Sequence, residues 1–298
     1  MVSVPQSLVV NLRRRPSHWL ICLLSMSFLS ACSPLGIINV VSKVHPADEI
    51  HAVDFGPHPR HRFDVYVPTT GVTADTPSVV FFYGGSWNSG DRRDYRFVGR
   101  RLAAAGYLTA VVDYRLYPEV QYPEFLHDSA AGVVAFQQWA KRHYPQAADK
   151  VTLIGHSAGA YNAAMLALDD TWLAREGSSP QSLLNGWVGI AGPYDLYPIT
   201  VEDVKPVFFH PDYPEDSNPI DFVSESSVPA LLLKPEEDDL VDPIRNSVGL
   251  RDALSQANSP VTLETIAGTS HVTIIGSVSP VLFFKGSTMK PIEAFVRR

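Results

Sequence analysis

An α/β fold, with a mostly parallel central sheet and helices on both of its faces, is predicted by three observations. From about residue 51 onward short apolar runs alternate with stretches of helical period, the pattern of strands feeding crossover helices. The 298 residues are 45% apolar and 18% charged, enough for a sizeable core and too mixed for a disordered chain or a multi-span membrane protein. No linker, internal repeat or low-complexity run divides residues 51–298, so a single domain accounts for the pattern. The only two cysteines, Cys22 and Cys32, lie in the first 32 residues, which excludes a disulfide framework or a cysteine metal site in the body.

The chain opens on a segment that reads as an address. Residues 1–12 are uncharged, Arg13, Arg14 and Arg15 follow, and 19–29 (WLICLLSMSFL) form an apolar run of eleven. A bilayer span needs about 20 residues, whereas a run of this length suits the h-region of a secretory signal. Leu29-Ser30-Ala31-Cys32 resembles the lipobox of bacterial lipoproteins. That resemblance implies removal of residues 1–31 as a signal peptide, lipidation of Cys32 and a membrane anchor at the cell envelope; Ser33 after the cysteine implies the outer membrane in a Gram-negative source. The formal net charge is −7, and loss of 1–31, which holds three arginines and no carboxylate, leaves the remainder more acidic still. Such a surface repels nucleic acid and anionic head groups, so no nucleic-acid partner is expected and attachment rests on the lipid. Residues 32–50, short and mixed in character, read as a tether ahead of a catalytic-type domain at 51–298.

Within that domain, strands are expected where β-branched and aromatic residues run between turn signals: 63–67 (FDVYV), 79–83 (VVFFY), 108–112 (LTAVV), 151–154 (VTLI), 187–190 (WVGI), 230–233 (ALLL) and 261–266 (VTLETI). Helical spacing falls between them at about 93–105, 124–143, 158–169, 244–256 and 289–297. Residues 191–229 break the pattern with seven prolines and the aromatics Tyr194, Tyr197, Phe208, Phe209, Tyr213 and Phe222. Such a stretch either lies over the carboxyl edge of the sheet, where ligands bind, or is a surface insert with its own aromatic cluster.

Four features carry chemistry. Gly155-His156-Ser157-Ala158-Gly159 joins the strand VTLI directly to a helix of small residues, AGAYNAAMLAL, the setting of a nucleophile elbow. Its glycines are needed because the serine sits in a strained conformation and a side chain two positions away would meet backbone. A serine hydroxyl needs a base in reach, and in this strand-turn-helix setting the partners follow in the order Ser, acid, His. Only His210 and His271 lie beyond Ser157. His210 sits in the proline-rich stretch, whereas His271 follows the last strand in a small-residue loop, Gly268-Thr269-Ser270, and is the candidate base. The acid is sought after the strand at 230–233, among Glu236, Glu237, Asp238, Asp239 and Asp242; Asp238 is preferred, then Asp239, then Asp242, with Asp195 a weaker competitor. The fourth feature, Tyr83-Gly84-Gly85-Ser86-Trp87, lets backbone N–H groups of Gly84, Gly85 and Ser86 turn toward an oxyanion beside the N–H of Ala158. It lacks the G-K-[ST] ending of a phosphate-binding loop.

With these residues in view, the chain resembles the α/β-hydrolase superfamily, in the branch with an H-G-G-x-W oxyanion loop that includes carboxylesterases, kynurenine formamidase-like enzymes and feruloyl or acetyl-xylan esterase relatives. The likeness runs from about Val53 to the C-terminus. Residues 60–68 (RHRFDVYVP) resemble the branch's first strand, Asp113-Tyr114-Arg115-Leu116 its D-Y-R-L segment, Asp128 an acidic position on the next helix, and 231–243 its acid-bearing stretch, which aligns Asp238 with the acid. The resemblance implies that Arg115 pairs with a carboxylate to hold the loop. Two departures stand out: Tyr83 where the branch has His, and Lys234-Pro235 for His-Gly, which keeps Asp239 in play. The implied activity is a serine carboxylesterase acting on small-molecule esters through Ser157, His271 and Asp238, with no metal or organic cofactor. An arylformamidase-type amide hydrolase uses the same machinery, and a catalytically silent binding lipoprotein is the alternative from another class.

Overall fold

The computed structural model of the protein describes residues 34–147, 149–279 and 286–298. Eight strands form one sheet: β1 (Ala47–Asp54), β2 (Arg62–Pro68), β3 (Ser78–Phe82), β4 (Leu108–Val112), β5 (Val151–His156), β6 (Leu184–Ile190), β7 (Ala230–Pro235) and β8 (Val261–Ile266). Their order is β1-β2-β4-β3-β5-β6-β7-β8. β2 runs antiparallel to both β1 and β4, and every other pairing is parallel. The α/β architecture and all seven expected strands are present, as β2 to β8.

Helices cover both faces. In chain order the α-helices among the described residues are α1 (Pro34–Val41), α2 (Arg96–Ala104), α3 (Glu124–His143), α4 (Ala158–Leu168), α5 (Asp170–Ala174), α6 (Pro180–Leu183), α7 (Gly249–Gln256), α8 (His271–Gly276) and α9 (Met289–Val296). With layers on either side, β3, β4 and β5 are buried at every position, as central parallel strands must be. α4 is buried along its whole length, and its alanines let it lie close on β5 and β6. The helix expected at 244–256 starts as a π-turn, Ile244–Val248, ahead of α7. None of the described helices is long and apolar enough to cross a membrane.

Two segments depart from the sequence reading. The stretch expected as a tether at 32–50 is folded from Pro34 onward, as α1 and the first half of β1. Asn39 Oδ1 accepts the Phe97 N–H at 2.9 Å, its Nδ2 donates to the Asp94 carbonyl at 2.8 Å, and Arg100 pairs with Glu49 at 2.7 Å, so the segment is fastened to α2. β1 was invisible to strand alternation because its register shifts between Ile50 and Val53, at a bulge where Ala52 has φ 57°. Residues 1–31 and Cys32, expected as signal and lipid-attachment point, lie outside the described residues.

The proline-rich stretch 191–229 holds two 3₁₀ turns, Glu202–Phe208 and Pro219–Phe222. Phe208 packs among the rings of Trp87, Tyr122, Phe125 and Tyr161. Tyr122 N–H donates to the Val207 carbonyl at 3.0 Å and Tyr161 hydroxyl to the Ser217 carbonyl at 2.6 Å. The stretch is thereby tied down on α3 and α4 at the carboxyl edge of the sheet.

Candidate active site

Ser157 sits where β5 ends and α4 begins, at φ 54° and ψ −122°, a strained pair for a residue with a side chain. Tight packing on both sides holds it there. A Cβ on Gly155 would lie 2.1 Å from the Gly159 carbonyl oxygen, and one on Gly159 would lie 2.2 Å from that of Phe82. Glycine at both positions is therefore what lets strand, turn and helix close around the serine.

His271, the first residue of α8, faces it. Its Nε2 lies 2.9 Å from Ser157 Oγ and its Nδ1 2.9 Å from Asp238 Oδ2. Asp238 Oδ1 accepts the N–H groups of Leu240 (3.0 Å) and Val241 (2.8 Å), and its side chain is 1% exposed. Burial alone would raise this carboxyl, but the His271 hydrogen bond and the two backbone donors outweigh it and hold Asp238 below the usual carboxylate range. The other acids diverge. Asp239 faces solvent, Asp242 Oδ1 accepts the Ile244 N–H at 2.8 Å, and Glu236 Oε2 accepts the Gly268 N–H at 2.6 Å. Among the described residues neither Asp195 nor His210 is hydrogen-bonded to Ser157 or His271; the Asp195 N–H donates to Asn246, and His210 lies 2.8 Å from the Tyr213 hydroxyl.

The loop after β3 is held by side chains behind it. Gly85, Ser86 and Trp87 all have positive φ, at 134°, 53° and 55°. Ser86 and Ala158 line the cleft next to Ser157, and among the described residues their N–H groups donate to no protein acceptor. Gly84 lies against Ser157 Cβ and His156, and its N–H is turned toward the Tyr95 hydroxyl, so it shapes the loop and Ser86 faces the cleft. Trp87 is buried and donates from Nε1 to Asn162 Oδ1 at 2.9 Å. Tyr83, where the resembled branch has His, is fully buried between Tyr95 and Tyr114; its hydroxyl donates to Asp113 at 2.8 Å and accepts from Arg60 at 3.2 Å. Arg115 grips Asp128 through Nε (2.8 Å) and Nη2 (2.7 Å), the bidentate geometry that holds the loop after β4 on α3.

One residue was missed by sequence reasoning. His156, inside the pentapeptide, is fully buried, and its Nε2 lies 3.0 Å from the His271 main-chain oxygen. Burial, and then the neighbouring His271, push its pKa down to about 3. The only signal available was its place beside Ser157, which says nothing of a partner 115 residues away.

The cleft in front of Ser157 has a volume of about 220 Å³. Leu196, Ile199, Val201 and Val204 of the proline-rich stretch line it, together with Leu240 and Val241 after β7. The arrangement presents a hydroxyl, a hydrogen-bonded imidazole and free amide donors to one small, largely apolar space. Among the described residues no group of three or more His, Cys, Asp or Glu is placed to hold a metal ion.

Comparison with known proteins gives a consistent set of likenesses. The BD-FAE family model matches residues 63–254, more than half of the chain. A probable isoprenylcysteine alpha-carbonyl methylesterase of Oryza sativa subsp. japonica is 33% identical over 54% of this chain and 39% of its own length. The chain thus spans well under half the length of the plant methylesterases it matches. A kynurenine formamidase of Danio rerio is 27% identical over 75% of this chain and 74% of its own. Among solved structures, a truncated carbohydrate esterase from gut microbiota superposes with a TM-score of 0.69 at 18% identity, covering 85% of this chain and 97% of that one, a likeness of fold.

Proposed function

The chain belongs to the BD-FAE family and has the α/β-hydrolase fold, and from that premise we propose that it is a serine hydrolase cleaving small carboxylic esters through an acyl-enzyme. The observation that carries the reading is the position of His271, hydrogen-bonded to Ser157 on one side and Asp238 on the other at 2.9 Å each. Ser157 Oγ attacks the acyl carbon as its proton passes to His271 Nε2. The negative oxygen that forms accepts the N–H groups of Ser86 and Ala158, with Gly85 beside them; one such donor is typically worth about 10²–10³ in rate. Collapse breaks the bond to the alcohol, which leaves with the proton from His271. Water, giving its proton to the same nitrogen, then attacks the acyl carbon and releases the acid and free Ser157. Asp238 stays ionised throughout, holds the Nδ1–H tautomer and offsets the imidazolium charge.

Fluorophosphonate labelling tests the reading. Folded wild-type protein should label, Ser157→Ala should not, and His271→Ala should label far more slowly. Labelling that persists in Ser157→Ala overturns the assignment; folded wild type that never labels points to a silent binding module. The likeness to kynurenine formamidase, which covers about three quarters of both chains, favours one second reading, an arylformamidase-type amide hydrolase with the same residues in the same roles. Rates on p-nitrophenyl acyl esters set against N-formylkynurenine separate the two.

The same reading puts the catalytic domain, residues 51–298, behind a signal peptide at 1–31 and a lipidated Cys32, anchored in a bacterial envelope and facing from its outer membrane. The support is the ordered run of arginines, apolar core and Leu29-Ser30-Ala31-Cys32.

A further inference from the structure

Arg245 stands in the wall of the cleft with most of its donors unused. It is the second residue of the π-turn Ile244–Val248, and both it and Asn246 line the cleft. A guanidinium has five N–H donors. Here Nη2 reaches the Leu196 carbonyl at 3.3 Å and Nη1 the Pro198 carbonyl at 3.5 Å, both long, and among the described residues the buried Nε meets no acceptor. Among the described residues Arg245 forms no ion pair with a carboxylate. Asp242, three residues before it, turns Oδ1 to the backbone N–H groups of Ile244 and Arg245. Asn246 is occupied, accepting from the Tyr194 and Asp195 N–H groups and donating to the Asp242 carbonyl.

Arg245 is partly buried, with its Nε buried and its outer nitrogens on long bonds, so an anion in the cleft would complete its donors, and the planar fork of arginine fits a carboxylate with two parallel bonds. We propose that the cleft selects esters that carry a carboxylate a short chain away from the scissile bond, and that Arg245 is the group that recognises it. The proposal rests on the ester-hydrolase reading of Ser157 and names its substrate class. The small volume of the cleft, about 220 Å³, limits the spacer to a few carbons.

Two pairs of substrates decide the matter. p-Nitrophenyl hemisuccinate against p-nitrophenyl butyrate puts the carboxylate on the acyl side; O-acetylglycolate against ethyl acetate puts it on the alcohol side. Wild type should favour the anionic member of one pair by about tenfold or more in kcat/KM, mainly through KM. Arg245→Met should lower that ratio by about tenfold, and Arg245→Lys should recover part of it. A ratio that Arg245→Met leaves unchanged, or no preference in either pair, overturns the proposal. Binding gives a readout apart from turnover: Ser157→Ala protein should bind monomethyl succinate, and adding Arg245→Met should weaken that binding by about tenfold. Protein inert toward all four esters but with this Arg245-dependent binding would sink the hydrolase reading and leave the anion site standing. Hydrolysis without a carboxylate preference would sink the anion site alone.

Discussion

His156 donates from Nε2 to the main-chain carbonyl of His271 at 3.0 Å, so the residue directly before Ser157 holds the histidine that faces Ser157 across the cleft. The bond requires the proton on Nε2 and leaves Nδ1, buried and without a hydrogen-bond partner among the described residues, as the bare nitrogen.

That arrangement makes folding sensitive to acid in a defined window. An unfolded histidine titrates near 6.5, while folded His156 stays neutral down to about 3. Between those values the unfolded state binds more protons, so stability is complete above about pH 6.5 and is lost as pH falls toward 3. His156→Gln keeps a donor and removes the titrating ring. Between about pH 7 and about pH 4.5 it should lose some 2–3 kcal/mol less stability than wild type, read by urea unfolding at both values. Equal losses in the two proteins would refute the account.

Asp238 and Asp239 are adjacent and should differ sharply. Of the two, Asp238 meets His271 and accepts the backbone N–H groups of Leu240 and Val241, while Asp239 faces solvent. Asp238→Asn should lower kcat on p-nitrophenyl butyrate by about 10⁴, by removing the acceptor that fixes the His271 tautomer. Asp239→Asn, at an exposed side chain, should stay within about twofold. Steady-state kinetics on both variants checks the ranking, and its reversal would move the acid by one residue.

Glycine substitutions separate steric need from conformational need. A Cβ on Gly159 would lie 2.2 Å from the Phe82 carbonyl oxygen, whereas at Gly177, at φ 73°, none of the described residues comes within 4 Å of the same added atom. Gly177→Ala should cost about 1 kcal/mol, the strain of a left-handed residue. Gly159→Ala should cost about 3 kcal/mol or more and distort the turn at Ser157. Thermal melts and fluorophosphonate labelling of the two variants should diverge accordingly; similar melts would show that α4 can move away from β3.

Cys32 makes the anchoring proposal testable apart from catalysis. Metabolic labelling with a clickable palmitate analogue should mark the wild-type protein and fail with Cys32→Ala, which should also release activity from the membrane fraction. Labelling that survives the substitution would exclude lipidation at this position.

Chain order carried much of the site. In a parallel sheet the loops after successive strands meet at one edge, so Ser157 after β5, Asp238 after β7 and His271 after β8 come together although 114 residues separate Ser157 from His271. Choosing among Glu236, Glu237, Asp238, Asp239 and Asp242 was harder, because the decision lies in which carboxylate turns inward onto the Leu240 and Val241 N–H groups, and composition is blind to that. β1 was illegible since its bulge breaks the two-residue period. α8, at six residues, is too short for a helical period to be read. Arg115 was readable as needing a carboxylate and Asp128 as an acidic position, and the structure joins the two, whereas His156 acts on a backbone oxygen, which any residue type supplies.

The proline-rich stretch also separates two kinds of work within one domain. Ser157, Asp238 and His271 sit on turns locked to β5, β7 and β8, while the stretch that carries Leu196, Ile199, Val201 and Val204 is held separately, by Tyr194 packed on Trp187, by Phe208 among Trp87, Phe125 and Tyr161, and by hydrogen bonds with Gln121, Tyr161, Arg245 and Asn246. Exchanging that stretch should leave Ser157, His271 and Asp238 where they are when Tyr194 and Phe208 are kept, since none of the three belongs to it. A graft that changes the stretch would therefore have to fill two sockets, the pocket among Trp87, Phe125 and Tyr161 and the seat of Tyr194 on Trp187.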